Sequence, residues 1–140
     1  ASEKVVMLTC LAPGADYDGE TGNDASLVLA LRYGEFDMLF TGDIGKESEE
    51  KLLQDGALEE FEVLKAPHHG SKNSSCAEFL EAVSPQVILI SAGKANSYGH
   101  PHSEAVERMK ESGGEIYCTI QNGAVTVCSD GEEVYCRKAE

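Results

Sequence analysis

The stretch Glu62-Val63-Leu64-Lys65-Ala66-Pro67-His68-His69-Gly70-Ser71 decides how this chain is organised. Its first five residues predict a short strand that ends at Pro67, because proline cannot donate to a strand ladder. His68 and His69 follow in extended or turning backbone, so we expect the two imidazoles to point in different directions. One ring can bind a metal through a neutral nitrogen while the other hydrogen-bonds a substrate oxygen or supports the first. A surface histidine pair without a chemical role is the alternative.

A second strand ends in a similar way at Phe40-Thr41-Gly42-Asp43. The run Asp37–Phe40 predicts a strand, and Gly42 removes side-chain bulk just before the carboxylate. Asp43 can bridge two cations, because each of its two oxygens can serve a different metal. The alternative is that Asp43 caps the helix or turn that follows.

A third candidate segment follows Val87–Ala92, a continuous apolar run that is typical of a strand covered on both faces. After a loop that contains Lys94, the chain reads Tyr98-Gly99-His100-Pro101-His102. Lys94 can meet an anionic oxygen, and His100 can contact a leaving group or orient a ligand, with a structural role as the alternative. His102 stands beside the start of a helix, where we expect it to be exposed and structural.

The remaining patterns predict a single layered α/β domain over residues 1–140. The other predicted strands are Val5–Leu11, Ser26–Tyr33, Glu115–Ile120, Ala124–Ser129 and Glu132–Cys136, with tight turns at Gly34-Glu35 and Asp130-Gly131. The first predicted helix is Glu47–Gln54, with a Glu47–Lys51 pair. The second has a capping box formed by Ser75 and Glu78, and its apolar stripe consists of Cys76, Phe79, Leu80 and Val83. The third is capped by Ser103 and runs through Ser112. Strand–helix alternation followed by a terminal antiparallel meander is typical of helices packed on a mixed sheet.

The composition is that of an ordinary folded domain. The chain has 140 residues, of which 41% are hydrophobic and 26% charged, and this length is enough for one core. No apolar run approaches the roughly 20 residues of a membrane helix, and Ala1-Ser2-Glu3-Lys4 does not resemble the start of a signal peptide. We therefore expect either a cytosolic protein or a piece cut from a larger one.

The chain is strongly acidic, with a formal net charge of −14. An acidic body discourages non-specific binding to nucleic acid. Lys65, Lys72 and Lys94 flank the candidate segments, so we expect the local field there to be less negative than elsewhere. An acidic surface that serves only solubility is the alternative, and charge does not settle the substrate.

Five cysteines without CxxC or CxxxC spacing argue against a zinc ribbon; they are Cys10, Cys76, Cys118, Cys128 and Cys136. We expect free buried thiols, with a Cys118–Cys128 or Cys128–Cys136 disulfide between neighbouring strands as the alternative. The spacing Asp16-x-Asp18-x-Glu20 suggests calcium only faintly, because the glycine and distal glutamate of an EF-hand loop are not in place. A solvated loop is the preferred interpretation.

Four stretches of the chain, in this order, resemble the second half of a metallo-β-lactamase-fold domain. The resemblance is to the domain found at the C-terminus of ComEC-type DNA-uptake channel proteins and their free-standing relatives. The matching stretches are Asn23-Asp24-Ala25-Ser26-Leu27-Val28-Leu29, Leu39-Phe40-Thr41-Gly42-Asp43-Ile44, Val63-Leu64-Lys65-Ala66-Pro67-His68-His69-Gly70-Ser71 and Ser91-Ala92-Gly93-Lys94-Ala95-Asn96-Ser97-Tyr98-Gly99-His100-Pro101-His102. They span most of the chain, so the resemblance implies an αββα fold of which this chain is the C-terminal half.

The resemblance also implies roles for individual residues. Asp43 resembles the ligand that bridges two divalent metals, zinc or manganese. His69 is favoured as a ligand of the second metal, with His68 near substrate or behind the ligands, although the sequence does not decide between the two rings. Further residues resemble the substrate side of the site; they are Ser71, Lys94 and His100. The implied catalytic set is Asp43, His68, Lys94 and His100.

One motif of that family is missing from this chain. The principal metal motif, HxHxDH or a close variant, belongs to the first half of the domain, and no such string occurs here. A paired metal site needs more ligands than the histidines present can supply. We therefore predict that this chain is a truncated piece which, by itself, is inactive and binds catalytic metal weakly or not at all.

For the intact protein, the resemblance implies metal-dependent phosphodiester hydrolysis of DNA during bacterial competence. The implied location is a soluble domain of a membrane protein, on its outer face, with a secreted or cytoplasmic protein as the alternative. The implied partners are DNA, the missing first half of the domain and, as a further candidate, a second copy of this chain. Two other functions stay open: a cell-wall phosphodiesterase or phosphorylcholine esterase, and a non-catalytic domain that binds DNA or a partner.

Overall fold

The computed structural model describes residues 5–15, 17 and 22–139. Within these ranges the strands are β1 (Val6–Ala12), β2 (Val28–Tyr33), β3 (Phe36–Phe40), β4 (Val63–Lys65), β5 (Val87–Ile90), β6 (Glu115–Cys118), β7 (Val125–Ser129) and β8 (Val134–Lys138). The helices are α1 (Lys46–Gln54), α2 (Ala77–Val83), α3 (Ser103–Glu111) and α4 (Thr119–Asn122), with 3-10 turns at Asn23–Ala25 and Pro67–Gly70. The opening residues 1–4 and the acidic positions Asp16, Asp18 and Glu20 lie outside the described residues.

Six strands form one mixed sheet in chain order, from β1 to β6. Strands β1, β2 and β3 pair antiparallel, and β3 to β6 pair parallel. The turn at Gly34-Glu35 joins β2 to β3, and Gly34 adopts a φ of 64° there, which glycine tolerates without a side-chain clash. The prediction of a mixed sheet with flanking helices is confirmed. Because β3, β4 and β5 are parallel, their carboxyl ends lie side by side, and the segments that follow them all leave the sheet there.

The main hydrophobic core lies between the sheet and helices α1, α2 and α3. Apolar side chains on alternate positions of the strands face the helices and are fully buried, as expected for a sheet face that packs on helices. They meet the apolar stripes of the helices, among them Leu52, Phe79, Leu80, Val83 and Met109. This packing fixes the strand ends from which the candidate site is built.

The opposite face of the sheet is covered in part by the terminal hairpin. Strands β7 and β8 pair only with each other, and Val127 and Val134 pack against a small cluster centred on Phe36 and Met38. The terminal segment is therefore a two-stranded hairpin rather than a three-stranded meander, because β6 belongs to the main sheet. The hairpin leaves β5 only half covered on this face, so the prediction that β5 is buried on both faces holds for the helix side alone.

The predicted capping box at Ser75 and Glu78 is wrong. Helix α2 begins at Ala77 after Cys76, without a side-chain cap, and Ser75 adopts a left-handed backbone with a φ of 59°. The amides of Ser75 and Cys76 instead donate to the carboxylate of Glu49, at 2.5 and 2.8 Å. Glu49 of α1 therefore accepts from the Ser75 amide, the donor that the predicted capping box assigned to Glu78.

Two smaller details of the helices also differ from expectation. Ser103 is the first residue of α3 rather than its cap, and His102 precedes it. In α1 the salt bridges join Lys46 to Glu50 at 3.4 Å and Lys51 to Asp55 at 3.2 Å, so Lys51 finds a partner other than the predicted one. Both pairs are exposed, and exposed pairs at this spacing contribute only a few tenths of a kcal/mol.

Strand β1 lies at an edge of the sheet and is largely exposed, although its sequence is apolar. The exposed fractions of Val6 and Leu8 are 61% and 60%. Apolar composition thus identified a strand here but not a buried one. Among the described residues, no helix has the length and apolarity needed to cross a bilayer.

All five cysteines are free, as preferred, but only Cys118 is buried. In the terminal hairpin Cys128 lies opposite Tyr135, and Cys136 lies opposite Val127. The two thiols therefore do not face each other across the ladder.

The thiols are expected to differ in reactivity. Burial raises the pKa of Cys76 to about 11, so at pH 8 about one Cys76 thiol in a thousand is the reactive thiolate. Cys10 is exposed. We expect alkylation, followed by peptide mass spectrometry, to modify Cys10 well before Cys76, and a urea-unfolded control to remove the difference. Equal rates in the folded protein would contradict the raised pKa of Cys76.

Candidate functional site

The three candidate segments leave the same edge of the sheet and contact one another. The segment with Asp43 follows β3, the histidine pair follows β4, and the loop of residues 91–102 follows β5. The amide of His68 donates to the carbonyl of Gly42 at 3.0 Å, which joins the first two segments. The amide of His102 donates to the carbonyl of Gly70 at 2.9 Å, which joins the second and third. Parallel pairing therefore brings residues that are far apart in sequence to one surface.

Asp43 and His69 form the central contact of this surface. Oδ1 of Asp43 lies 3.3 Å from Nε2 of His69, and both side chains are about half exposed. Nδ1 of His69 lies 2.7 Å from the carbonyl oxygen of Ser91. Since a carbonyl only accepts, Nδ1 carries a proton. Nε2 faces the carboxylate, and in the tautomer with a single proton on Nδ1 it would present a lone pair there. Two acceptors at this distance need a proton or a cation between them.

The backbone of the histidine pair is unusual. His68 and His69 both adopt left-handed conformations, with φ values of 47° and 55°. Such conformations are costly for residues with a Cβ and persist where the surroundings enforce them. The ring planes are inclined by 69° with centroids 6.5 Å apart, so the two imidazoles point in different directions, as predicted.

Gly70 lets the third segment approach closely. Its φ is 79°, and a Cβ at this position would lie 2.7 Å from Cβ of Pro101. Any larger residue would push the loop that carries His100 away from the histidine pair.

Asp43 is positioned by its own backbone. Gly42 has a φ of 53°, and a Cβ there would lie 2.8 Å from Cβ of Ser26. The hydroxyl of Ser26 accepts a hydrogen bond from the Asp43 amide at 3.1 Å. Helix α1 is preceded by Gly45 and has no side-chain cap, so Asp43 does not cap it and its carboxylate faces His69 instead.

His100 is a buried ring at the centre of the histidine cluster. Only 9% of its surface is exposed, and its ring centroid lies 5.4 Å from that of His68 and 6.2 Å from that of His69. Burial lowers the pKa of His100, and the neighbouring histidines lower it further, while Asp43 opposes them. A neutral imidazole is therefore favoured here.

Asn96 holds His100 in place. Its side-chain amide donates to the carbonyls of Gly93 and His100 at 2.7 and 2.8 Å. Its oxygen accepts from the His100 amide at 2.8 Å. The loop between β5 and α3 is thus closed by one side chain.

The remaining predicted residues occupy different environments. Ser71 is almost fully buried, and its hydroxyl accepts from the Asn73 amide at 3.3 Å. Lys94 is exposed on the loop after β5. His102 is half-buried rather than exposed, and its Nδ1 accepts from the Lys72 amide at 3.0 Å. The structural role of His102 and the substrate-side roles of Ser71 and Lys94 stay predictions.

Lys65 adds a positive charge behind the site. Its ammonium donates to the carbonyl of Ala66 at 2.6 Å. Burial lowers the pKa of Lys65, and the nearby Asp43 carboxylate raises it. The Lys65 ammonium is thus within electrostatic reach of Asp43, and the expectation of a less negative local field stays a prediction.

Sequence reasoning missed four residues that position the site: Asn23, Ser26, Ser91 and Asn96. The Asn23 amide lies 3.4 Å from the ring nitrogens of His68, and Ser91 acts through its backbone carbonyl. A backbone carbonyl carries no sequence signature. The polar residues Asn23, Ser26 and Asn96 could have been found only as side chains that adjoin predicted strand ends.

As donors for a metal, Asp43 and His69 fit one side of a site for a divalent cation. A carboxylate oxygen and a neutral imidazole nitrogen are suitable ligands for zinc or manganese, and a hydrogen bond from Nδ1 to a carbonyl is the usual support for such a histidine. In residues 5–15, 17 and 22–139, no group of three or more histidine, cysteine, aspartate or glutamate side chains is arranged to hold an ion. Whether Asp43 and His69 hold a cation together with other donors is a matter for proposal.

Comparison with known proteins gives three informative relatives. The chain is 36% identical over 122 residues to ComE operon protein 3 of Bacillus subtilis, a match that covers 87% of this chain. It is 38% identical over 104 residues to competence protein ComA of Neisseria gonorrhoeae, covering 74%, and 32% identical over 105 residues to recombination protein 2 of Haemophilus influenzae, covering 75%. These homologues support a competence-related family.

The matches cover only a small part of each relative. The chain spans 16%, 15% and 13% of the lengths of the three proteins, in the same order. No family model matches the chain. The matches therefore concern one segment of much longer proteins, and the activity of the whole protein is a matter for proposal.

Proposed function

We propose that this chain is the second half of a metallo-β-lactamase-fold domain that hydrolyses phosphodiester bonds of DNA during bacterial competence. The observation that carries the proposal is the 3.3 Å approach of Asp43 to His69 at the carboxyl edge of the parallel strands. The names of the relatives support competence as the process. The missing first half of the domain supplies the other ligands, and it is the main partner that we propose for this chain.

In this proposal Asp43 and His69 hold divalent cations, zinc or manganese. When bound, such a cation polarises a phosphate oxygen and lowers the pKa of water, which is the chemistry that phosphodiester hydrolysis requires. The carbonyl of Ser91 keeps the proton of His69 on Nδ1, so that Nε2 keeps its lone pair for the cation. Asp43 contributes a second oxygen that can serve a neighbouring ion.

The surrounding side chains are proposed to receive the substrate. His68 and His100 line the surface next to the Asp43–His69 pair, and neutral rings can donate or accept a hydrogen bond at a phosphate oxygen. Lys94 supplies a mobile positive charge for the developing negative charge on that oxygen. Ser71 is proposed to act on the substrate side as well, after a rearrangement that frees its buried hydroxyl. We place the domain on the outer face of a bacterial membrane protein, where incoming DNA arrives.

The test uses the longest natural protein that contains this chain. With Mn²⁺ or Zn²⁺ it is expected to cut DNA, and chelation is expected to stop the reaction. Asp43→Ala is expected to lower the cleavage rate by at least about 100-fold, since a bridging ligand supports both ions. The measurement is the release of fragments from end-labelled DNA, with Asp55→Ala as a control at an exposed carboxylate directly after α1.

Three outcomes would overturn the proposal. Uncut DNA in the presence of either metal, together with an Asp43→Ala variant that behaves like the parent, would exclude the nuclease. Turnover of a phosphorylcholine ester in preference to DNA would instead favour a cell-wall esterase. DNA affinity that survives without metal, and no stoichiometric metal site, would favour a non-catalytic binding domain.

A further inference from the structure

Tyr98 is a large aromatic side chain that the fold leaves in solvent. Its exposed fraction is 76%, the highest among the exposed large hydrophobic residues of the described chain. One face of the ring is not free, because it stacks on His100 with a centroid distance of 5.7 Å and an interplanar angle of 17°. The other face is open to solvent. A single exposed tyrosine is ordinary by itself, so its surroundings decide whether it has a role.

The ring of Tyr98 stacks on a loop whose backbone is held in position. It lies against His100, which is buried. Asn96 fixes the same loop on both sides of Tyr98, through hydrogen bonds to Gly93 and to both backbone groups of His100. An aromatic face that is fixed before binding loses little conformational entropy when a planar ligand settles on it.

The stack leads directly to the candidate metal ligands. The ring of His100 is nearly parallel to that of His69, with an interplanar angle of 22° and a centroid distance of 6.2 Å. His69 in turn contacts Asp43. Tyr98, His100 and His69 therefore form a row of rings that ends at the Asp43–His69 pair, so a planar group on Tyr98 lies within a few nucleotides of it.

From this arrangement we propose that the open face of Tyr98 stacks on a base of single-stranded DNA and so positions the strand for cleavage at the Asp43–His69 pair. The inference rests on the proposed function and deepens it by naming the form of the substrate. In a duplex both faces of an internal base are covered by its neighbours, so an exposed ring can receive only a base that is unpaired or splayed out. Stacking on tyrosine is tolerant of sequence.

The charge of the protein favours this mode of binding. A body with a net charge of −14 gains little from contacts with phosphates. Lys94 is the one basic residue in the loop 91–102 that carries Tyr98. Affinity must therefore come largely from the uncharged faces of the bases, and Tyr98 is an exposed aromatic ring placed to supply it.

The experiment measures binding by fluorescence anisotropy in the presence of chelator, so that no strand is cut. Two oligomers of equal length are compared: oligothymidine, and an abasic strand that keeps every phosphate but has no bases. Tyr98→Leu is expected to weaken binding to oligothymidine roughly 5- to 150-fold, the range that loss of one stacked base implies. It is expected to leave binding to the abasic strand unchanged, while Tyr98→Phe keeps the parental affinity for both.

A second tyrosine gives a matched control. Tyr135 of β8 is 51% exposed and has the guanidinium of Arg137 over its ring, at 5.4 Å from the centroid. Tyr135→Leu is expected to leave both affinities unchanged. Photo-crosslinking to 5-iodouracil, followed by peptide mass spectrometry, is expected to place the crosslink on Tyr98.

Each outcome can be separated from the fate of the nuclease proposal. Equal losses on both strands, no loss on either, or no measurable binding of oligothymidine would overturn the stacking role, even if the longer protein cuts DNA. A base-dependent loss that is specific to Tyr98 would support it, even if no cleavage is ever found.

Discussion

Replacing Glu49 with alanine is expected to lower the free energy of unfolding by about 3 kcal/mol, since it removes two hydrogen bonds to a charged group and strands two amides. Glu49 is fully buried in α1, and its carboxylate accepts from the amides of Ser75 and Cys76. Burial raises the pKa of Glu49, although these hydrogen bonds oppose the rise. Among the described residues, Glu49 is the side chain that accepts from both amides, which offsets part of the cost of its burial.

The loop that Glu49 supports is also held from its other side. Arg108 of α3 donates to the carbonyls of Ser75, Lys72 and Ser74 at 2.7, 2.9 and 2.8 Å. The segment 72–76, which follows Ser71, is thus fixed by two side chains. Glu49 accepts hydrogen bonds from its amides, and Arg108 donates hydrogen bonds to its carbonyls. Loss of Glu49 is therefore expected to loosen the histidine pair as well as to destabilise the fold.

Urea denaturation followed by circular dichroism measures this effect. Glu50→Ala is the matched control in the same helix, because Glu50 makes only an exposed salt bridge to Lys46, and its loss is expected to cost less than about 0.5 kcal/mol. Glu49→Gln keeps one acceptor and is expected to lie between the two. Equal stabilities of Glu49→Ala and Glu50→Ala would contradict the role given to Glu49.

Replacing His69 with alanine is expected to cost more activity than the same change at His68. In the longer protein, His69→Ala is expected to lower both the affinity for Mn²⁺ and the cleavage rate by at least about 100-fold. A loss of this size is expected when a residue that binds the metal directly is removed, rather than a residue that only orients such a ligand. The physical reason is that only Nε2 of His69 faces Asp43. His68 contacts Asn23 instead.

His68→Ala is the matched control, since it removes the same ring from the adjacent residue. It is expected to change metal affinity by less than about 10-fold, which is the smallest loss usual for a residue that only supports a metal ligand. Its main effect is expected on the KM for DNA. Metal affinity is measured by competition with a coloured chelator, and cleavage is measured on the same preparations. A larger loss of metal affinity in His68→Ala than in His69→Ala would reverse the assignment.

Local patterns predicted the elements whose causes are local. The tight turn at Gly34-Glu35 was correctly placed because glycine between two strand patterns can adopt a positive φ. Strands that end before Thr41 and at Pro67 were likewise read from apolar runs and breakers. The same reasoning failed at Ser75 and Glu78, where a capping pattern is present but Glu49, 26 residues earlier than Ser75, accepts from the Ser75 amide.

Burial was the second feature that local reasoning could not decide. The apolar sequence of β1 predicted a strand, yet the strand lies at the sheet edge with most of its side chains in solvent. His102 was expected to be exposed, but it is half-buried because its Nδ1 receives the Lys72 amide. Burial depends on what packs against an element, and that information is not contained in the element itself.

The sequence by itself determined the strand–helix alternation, the order of the chemical segments and the residue types that they carry, because periodicity and turn residues act over short distances. Only the tertiary structure decided that β3, β4 and β5 lie parallel and adjacent, so that Asp43 and His69 meet across 26 positions with Nε2 rather than Nδ1 facing the carboxylate. The choice of nitrogen follows from the Ser91 carbonyl, a backbone group that every residue has. The position of this carbonyl depends on how the whole sheet is assembled and not on the Ser91 side chain.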